Sequence, residues 1–180
     1  MRVVGGKYRG KVLKTFQGTE VRPTSDRAKE SLFNILAPQI MGATVLDLFA
    51  GTGSVGLEAL SRGAKEVFFT DVRRESLQIV KANLSSVKES TERVFLMDFK
   101  DALSKFSREG KKFDIVFLDP PYHTEFGEEA LALIQRYELL SEKGIVIFEH
   151  DGKEILDVLD HYDRRKYGVA YLDFYREKTK

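Results

Sequence analysis

Val45-Leu46-Asp47-Leu48-Phe49-Ala50-Gly51-Thr52-Gly53-Ser54-Val55-Gly56 reads as an apolar strand running into a glycine-rich turn, with Leu57-Glu58-Ala59-Leu60 opening a helix behind it. Glycines let the backbone turn tightly and approach a ligand closely. Gly51, Gly53 and Gly56 fit the Gly-x-Gly-x-x-Gly spacing of dinucleotide-binding units, a weak signal by itself. Outward from this stretch, strand-like and helix-like patterns alternate. Apolar runs end at Asp47, Asp71, Asp98, Asp119 and Glu149, and residues 75–87 and 128–140 carry helical spacing between them. Repeated strand–helix units predict an α/β fold, a mostly parallel twisted sheet with helices on both faces. No helix fits between Asp163-Arg164-Arg165-Lys166 and the closing run Tyr167-Gly168-Val169-Ala170-Tyr171-Leu172-Asp173-Phe174-Tyr175, so the last strand is expected to be antiparallel.

In an open α/β sheet, ligands bind beyond the carboxyl ends of the strands, so acids at five strand ends face one crevice. Each alone is more often a helix N-cap than a ligand, and Glu149 is read as a cap. Asp47 stands where a dinucleotide fold carries an apolar residue. An anion there suits the amine and sulfonium of S-adenosylmethionine better than a pyrophosphate. Asp71 lies 20 residues past Gly51, where an acid is expected to bind ribose hydroxyls. Asp98 precedes Phe99, a pair able to accept from an adenine amino group while the ring packs on the base.

Asp119-Pro120-Pro121-Tyr122 follows the apolar run Ile115-Val116-Phe117-Leu118. Two prolines fix their own φ and hold the preceding residues extended. A carboxylate, the Pro120 carbonyl and an aromatic ring are thereby held in one relation. Both oxygens are acceptors, an exocyclic NH₂ offers two donors, and a tyrosine face can stack on a base. The turn is suited to hold a nucleobase by its amino group. His123, directly after it, reads as a solvated loop residue.

At 180 residues, 42% hydrophobic and 32% charged, the chain has the size and composition of one globular domain. The absence of cysteine from this sequence excludes disulfides, Cys-based zinc sites and thiol nucleophiles, and three scattered histidines give no metal pattern. No segment approaches the ~20 apolar residues of a membrane span, and no signal-peptide pattern opens the chain. A cytoplasmic protein is expected, with no metal and no membrane partner. Residues 1–29 hold eight basic and two acidic side chains, a balance of +6 within a chain of net charge +1. Such a basic segment points to a polyanion, with Tyr8 and Phe16 interleaved to stack on bases. Val3-Val4 and Val12-Leu13 around Gly5-Gly6-Lys7-Tyr8-Arg9-Gly10 suggest a hairpin or two short strands. Thr24-Ser25-Asp26 offers caps for a helix that Pro38 then limits. The boundary expected on these grounds falls near residue 40: a basic extension of hairpin and helix (1–40) and an α/β body (41–180), together one compact unit.

Asp47-x-Phe49-x-Gly51-x-Gly53, Asp71, Asp98-Phe99 and Asp119-Pro120-Pro121-Tyr122 together resemble a Rossmann-like class I S-adenosylmethionine-dependent methyltransferase. More narrowly, Arg22-Pro23-Thr24-Ser25-Asp26-Arg27, then Glu30-Ser31-Leu32-Phe33-Asn34-Ile35-Leu36, and the opening Val3-Val4-Gly5-Gly6-Lys7-Tyr8-Arg9-Gly10 resemble the RsmD family. That resemblance covers nearly the whole chain and implies methylation of the exocyclic N2 of one guanine in 16S ribosomal RNA, within the small subunit or its assembly intermediate. It implies a cofactor site at Asp47, Phe49, Gly51, Gly53, Asp71, Val72, Asp98 and Phe99, and catalysis at Asp119, Pro120, Pro121 and Tyr122. RNA contacts are expected at Lys7, Tyr8, Arg9 and Lys11, and at Arg22, Thr24 and Arg27, in a monomer. The Asp-Pro-Pro-Tyr turn serves N6-adenine enzymes as well, which leaves an adenine methyltransferase on RNA or DNA as the alternative. An NAD-dependent oxidoreductase is disfavoured by Asp47, and an inactive RNA-binding assembly factor by the intact turn.

Overall fold

The computed structural model describes residues 1–17 and 26–178. Among them, α1 (Asp26–Ile40) precedes four strand–helix repeats and a fifth parallel strand: β1 (Thr44–Asp47), α2 (Ser54–Ser61), β2 (Glu66–Asp71), α3 (Arg74–Ser86), β3 (Val94–Leu96), α4 (Phe99–Arg108), β4 (Phe113–Leu118), α5 (Phe126–Arg136) and β5 (Leu140–His150). The hairpin β6 (Asp160–Tyr167) and β7 (Ala170–Arg176) completes them. The sheet order is β3-β2-β1-β4-β5-β7-β6, with β1 to β5 parallel, β7 antiparallel to β5, and β6 antiparallel to β7. The expected antiparallel last strand is therefore present, inserted between β5 and β6 rather than at the edge itself.

Alternation along the strands feeds two cores. Val45, Val67, Phe69, Ile115, Phe117 and Ile147 face the helices α1, α2 and α3, where Phe33, Leu57 and Val80 are buried. Leu46, Phe68, Val116, Leu118 and Phe148 face α4 and α5, against Phe106, Leu131 and Ile134. Burial on both faces is why these strands read as continuous apolar runs. Glycine at residue 53 starts α2 with φ of 74°, and a Cβ there would come within 3.1 Å of Val80.

Two expectations need correcting. Helix α1 does not stop at Pro38 but continues to Ile40. Proline removes one hydrogen bond near the solvent-facing end, while buried Ile40 holds the last turn on the core. The N-terminal hairpin is present only in reduced form. One antiparallel bridge, Arg2↔Val12, flanks a 3₁₀ turn over Gly6–Tyr8. Backbone bonds from Val3 N to Lys11 O at 2.9 Å, Gly10 N to Val3 O at 2.9 Å and Leu13 N to Met1 O at 3.2 Å join its arms, while other donors go to α2: Val4 N and Gly5 N each donate to Glu58 at 2.8 Å, and Tyr8 N donates to Ser61 Oγ at 2.9 Å. Gly6 has φ of 73°, and a Cβ there would lie 1.9 Å from the Ser61 carbonyl oxygen, so only glycine permits this docking.

A second polar network locks the C-terminal hairpin. Asp173 of β7, fully buried, lies 2.9 Å from His150 Nε2 of β5. It also accepts from Arg164 of β6, at 2.6 Å from Nε and 2.7 Å from Nη2. Burial alone would raise the Asp173 pKa, but the hydrogen bonds from Arg164 and His150 outweigh it and hold the carboxyl below the usual carboxylate range.

Candidate active site

The sheet reverses its order between β1 and β4, the point at which ligands bind in open α/β sheets. A cavity of about 490 Å³ opens there, beyond the carboxyl ends of β1 to β5. Asp47, Asp71, Asp98, Asp119 and Glu149 all line it. Five strand ends thus deliver five acids to one space, because parallel strands point their carboxyl ends the same way.

One half of the cavity is built by the glycine turn. Asp47 is 4% exposed and its Oδ2 accepts from Gly56 N at 3.1 Å. Burial pushes its pKa up to about 7; the Gly56 hydrogen bond opposes this and the charge of Asp71 adds to it. Such a group costs free energy when ionised unless a cation arrives, and a ligand ammonium would supply one. Asp71 accepts from Gly51 N at 3.0 Å and Arg73 N at 2.8 Å, which ties the turn to the end of β2. Carboxylate oxygens hold further lone pairs for hydroxyl donors. Asp98 caps α4 by accepting from Lys100 N at 2.8 Å, and it also lines the cavity. Phe99 is fixed between Phe49 and Phe126, with ring centroids 5.4 and 5.3 Å away. Val72 and Gly51 complete this half; Gly53 is not on its wall and packs toward Val80 and Phe69.

The other half is the Asp119-Pro120-Pro121-Tyr122 turn. Thr124 Oγ1 donates to the Pro121 carbonyl at 2.7 Å, and Lys153 Nζ donates to the Thr124 carbonyl at 2.9 Å, so the turn is braced from the far side. Asp119 is exposed on the cavity wall. Its pKa is raised, first by desolvation among the cavity walls, then by the charges of Glu149 and Asp47. His123 is exposed, has φ of 62°, and lies 3.4 Å from Asp151, away from the cavity lining.

Residues that no sequence motif places here include Ile147 of β5, Leu172 of β7 and Met1. Phe16 also lines the cavity, with the Arg73 guanidinium 4.9 Å from its ring centroid. Apolar residues from distant elements carry no motif, so only the fold gathers them. Glu149 had a signal: it ends an apolar run like the other acids, and no helical pattern follows it.

The basic segment is less free than its charge implies. Lys7 Nζ and Tyr8 Oη both reach Glu89 Oε1, at 2.8 and 2.5 Å. Lys11 Nζ donates to the Ser86 carbonyl at 3.1 Å. Arg9 and Arg27 are exposed. Arg22 and Thr24 lie outside the described residues.

A family model described as conserved hypothetical protein 95 matches residues 1–176. A ribosomal RNA small subunit methyltransferase D of Haemophilus influenzae is 37% identical over 177 residues, covering 98% of this chain and 92% of the relative. The Escherichia coli K12 protein of the same name is 34% identical over 182 residues, covering 98% and 90%. A solved Escherichia coli structure, described as a candidate methyltransferase, superposes with a TM-score of 0.84 at 30% identity, covering 98% of each chain. No helix among the described residues is long and apolar enough to cross a membrane.

Proposed function

Because this chain belongs to the RsmD family, we propose that it transfers a methyl group from S-adenosylmethionine to small-subunit ribosomal RNA, at the exocyclic N2 of one guanine. The observation that carries this reading is one cavity joining an acid-lined glycine turn to the Asp119-Pro120-Pro121-Tyr122 turn. The residues lining the cavity fit the cofactor: Asp47 would offer a buried carboxylate to its ammonium, Asp71 would offer acceptors to its ribose, and Val72, Asp98 and Phe99 would hold its adenine. S-adenosylmethionine supplies a methyl group already activated on a sulfonium.

The work left to the protein is alignment. An aromatic exocyclic amine is a poor nucleophile because its lone pair is delocalised into the ring. Asp119 and the Pro120 carbonyl accept its two hydrogens and turn the lone pair toward the methyl group. Tyr122 holds the base, turned out of its stack. With the cofactor bound, in-line attack by the nitrogen on the methyl carbon would leave the C–S bonding pair on sulfur, and the amine's extra proton would pass to water. Proximity and aligned acceptors supply most of the acceleration. Arg9 and Arg27 are the exposed cations proposed to meet RNA phosphates.

Incubation with labelled S-adenosylmethionine and small subunits lacking the modification, then digestion, should yield labelled N2-methylguanosine. Labelled N6-methyladenosine instead would install the adenine alternative. Arg9→Ala with Arg27→Ala should lower RNA affinity and flatten its salt slope, by about one unit for each phosphate no longer neutralised; an unchanged slope removes them from the RNA face.

Cofactor affinity should depend on pH through Asp47. The ammonium binds the ionised carboxylate, and with a pKa pushed up to about 7 protons compete below that value. S-adenosylhomocysteine affinity by calorimetry should fall as pH is lowered from about 7.5 to about 5.5, where the ligand amine stays protonated. Asp47→Asn should flatten the profile. A flat wild-type profile would separate Asp47 from the ammonium.

A further inference from the structure

Glu149 has no helix to cap: residues 151–159 after β5 contain none. Its carboxylate lines the cavity instead. Strands β4 and β5 run parallel with Leu118 opposite Phe148, so Asp119 and Glu149 form the next register pair. Adjacent strands lie about 4.8 Å apart. Continued alternation puts Asp119 on the face of Phe117 and Glu149 on the face of Ile147, and both of those residues line the cavity. Leu172, opposite Glu149 on β7, and Leu32 of α1 line it too. Two acids therefore stand side by side on the wall of the cavity that Tyr122 also lines.

Resting on the guanine reading above, we infer that Glu149 selects guanine over adenine by accepting the base's N1–H while Asp119 accepts from the neighbouring amine. Guanine's Watson–Crick edge presents N1–H and N2–H₂ as adjacent donors. Adenine presents its amine beside N1, which is an acceptor. Paired carboxylates match the first edge and set a carboxylate against a lone pair in the second. The two acids also repel each other, and the Glu149 charge raises the Asp119 pKa. Guanine's edge offers a donor to each acid, whereas adenine's edge offers a donor to one. A site built around a specific donor rejects an analogue lacking it far more strongly than a shape-based pocket does.

The test uses small subunits reconstituted with either guanine or 2-aminopurine at the methylated position. The analogue keeps the N2 amine but has an acceptor at N1. Single-turnover methylation by the wild-type protein should be at least about 100-fold slower on 2-aminopurine. Glu149→Gln, whose amide can donate to a purine N1, should lose at least about tenfold on guanine and bring the ratio below about ten. Unchanged S-adenosylhomocysteine affinity by calorimetry reports an intact fold. If the glutamine variant does not fold, Glu149→Asp withdraws the carboxylate and should also reduce the ratio. A wild-type ratio near one overturns the inference without any variant, and so does a folded Glu149→Gln protein that keeps the wild-type ratio. Failure of the guanine reading itself shows separately, in the identity of the labelled nucleoside.

Discussion

Asp119→Ala should slow methyl transfer roughly 10²- to 10³-fold, the loss found when one positioned electrostatic partner is removed from a transition state. RNA affinity should change little, because affinity rests on phosphate contacts spread over the surface. Asp119 sits on a turn that two prolines hold rigid and that Thr124 and Lys153 brace from behind. Removing its carboxylate therefore deletes one acceptor and leaves the backbone of the turn as it is. Single-turnover rates at saturating S-adenosylmethionine read the effect, with RNA binding followed in parallel. Near-normal transfer by the alanine variant would end the amine-orienting role.

The second large effect is on stability. Glu58→Ala should destabilise the protein by about 3–5 kcal/mol, the cost of breaking a buried ion pair on one side. Glu58 is fully buried, pairs with Arg62 at 2.7 Å, and lies 3.7 Å from the Lys29 ammonium. It also accepts the backbone N–H groups of Val4 and Gly5. Its loss strands the Lys29 ammonium, whose pKa burial already lowers, and leaves two backbone donors unpaired. For a protein of this size that corresponds to a fall in Tm of roughly 6 to 20 °C. Adding Lys29→Met should recover part of the stability by removing the stranded charge. A fall below about 2 °C would show that water reaches the site and repairs it.

The parallel sheet was legible because its strands are buried on both faces and end in acids. Asp47, Asp71 and Asp119 were legible because acids end successive apolar runs, and parallel strands bring their carboxyl ends to one crevice. β6 was hidden. Asp160-His161-Tyr162-Asp163-Arg164-Arg165-Lys166-Tyr167 has no apolar alternation, because it is an edge strand, paired with β7 on one side and open to solvent on the other. Glu58 was hidden too, since a glutamate in a helix signals an exposed face until Lys29, Arg62 and the N-terminal backbone converge on it. The lysines of residues 1–17 read as a free basic arm because their partners, Glu89 and Ser86, lie over 70 positions away in the chain. Sequence proximity reveals motifs, but partners brought together by folding stay invisible in it.

The placement of β7 between β5 and β6 has a consequence for how the protein fails. While the hairpin is docked, β5 is an interior strand. Once it lifts away, Gly144-Ile145-Val146-Ile147-Phe148 becomes an open edge of apolar, β-prone residues with unpaired backbone groups, the kind of edge that recruits a second chain. The grip of Asp173 on Arg164 and His150 is therefore a guard against self-association. Mild heating or removal of that carboxylate should show itself as turbidity that rises with protein concentration, ahead of any decline in helix signal.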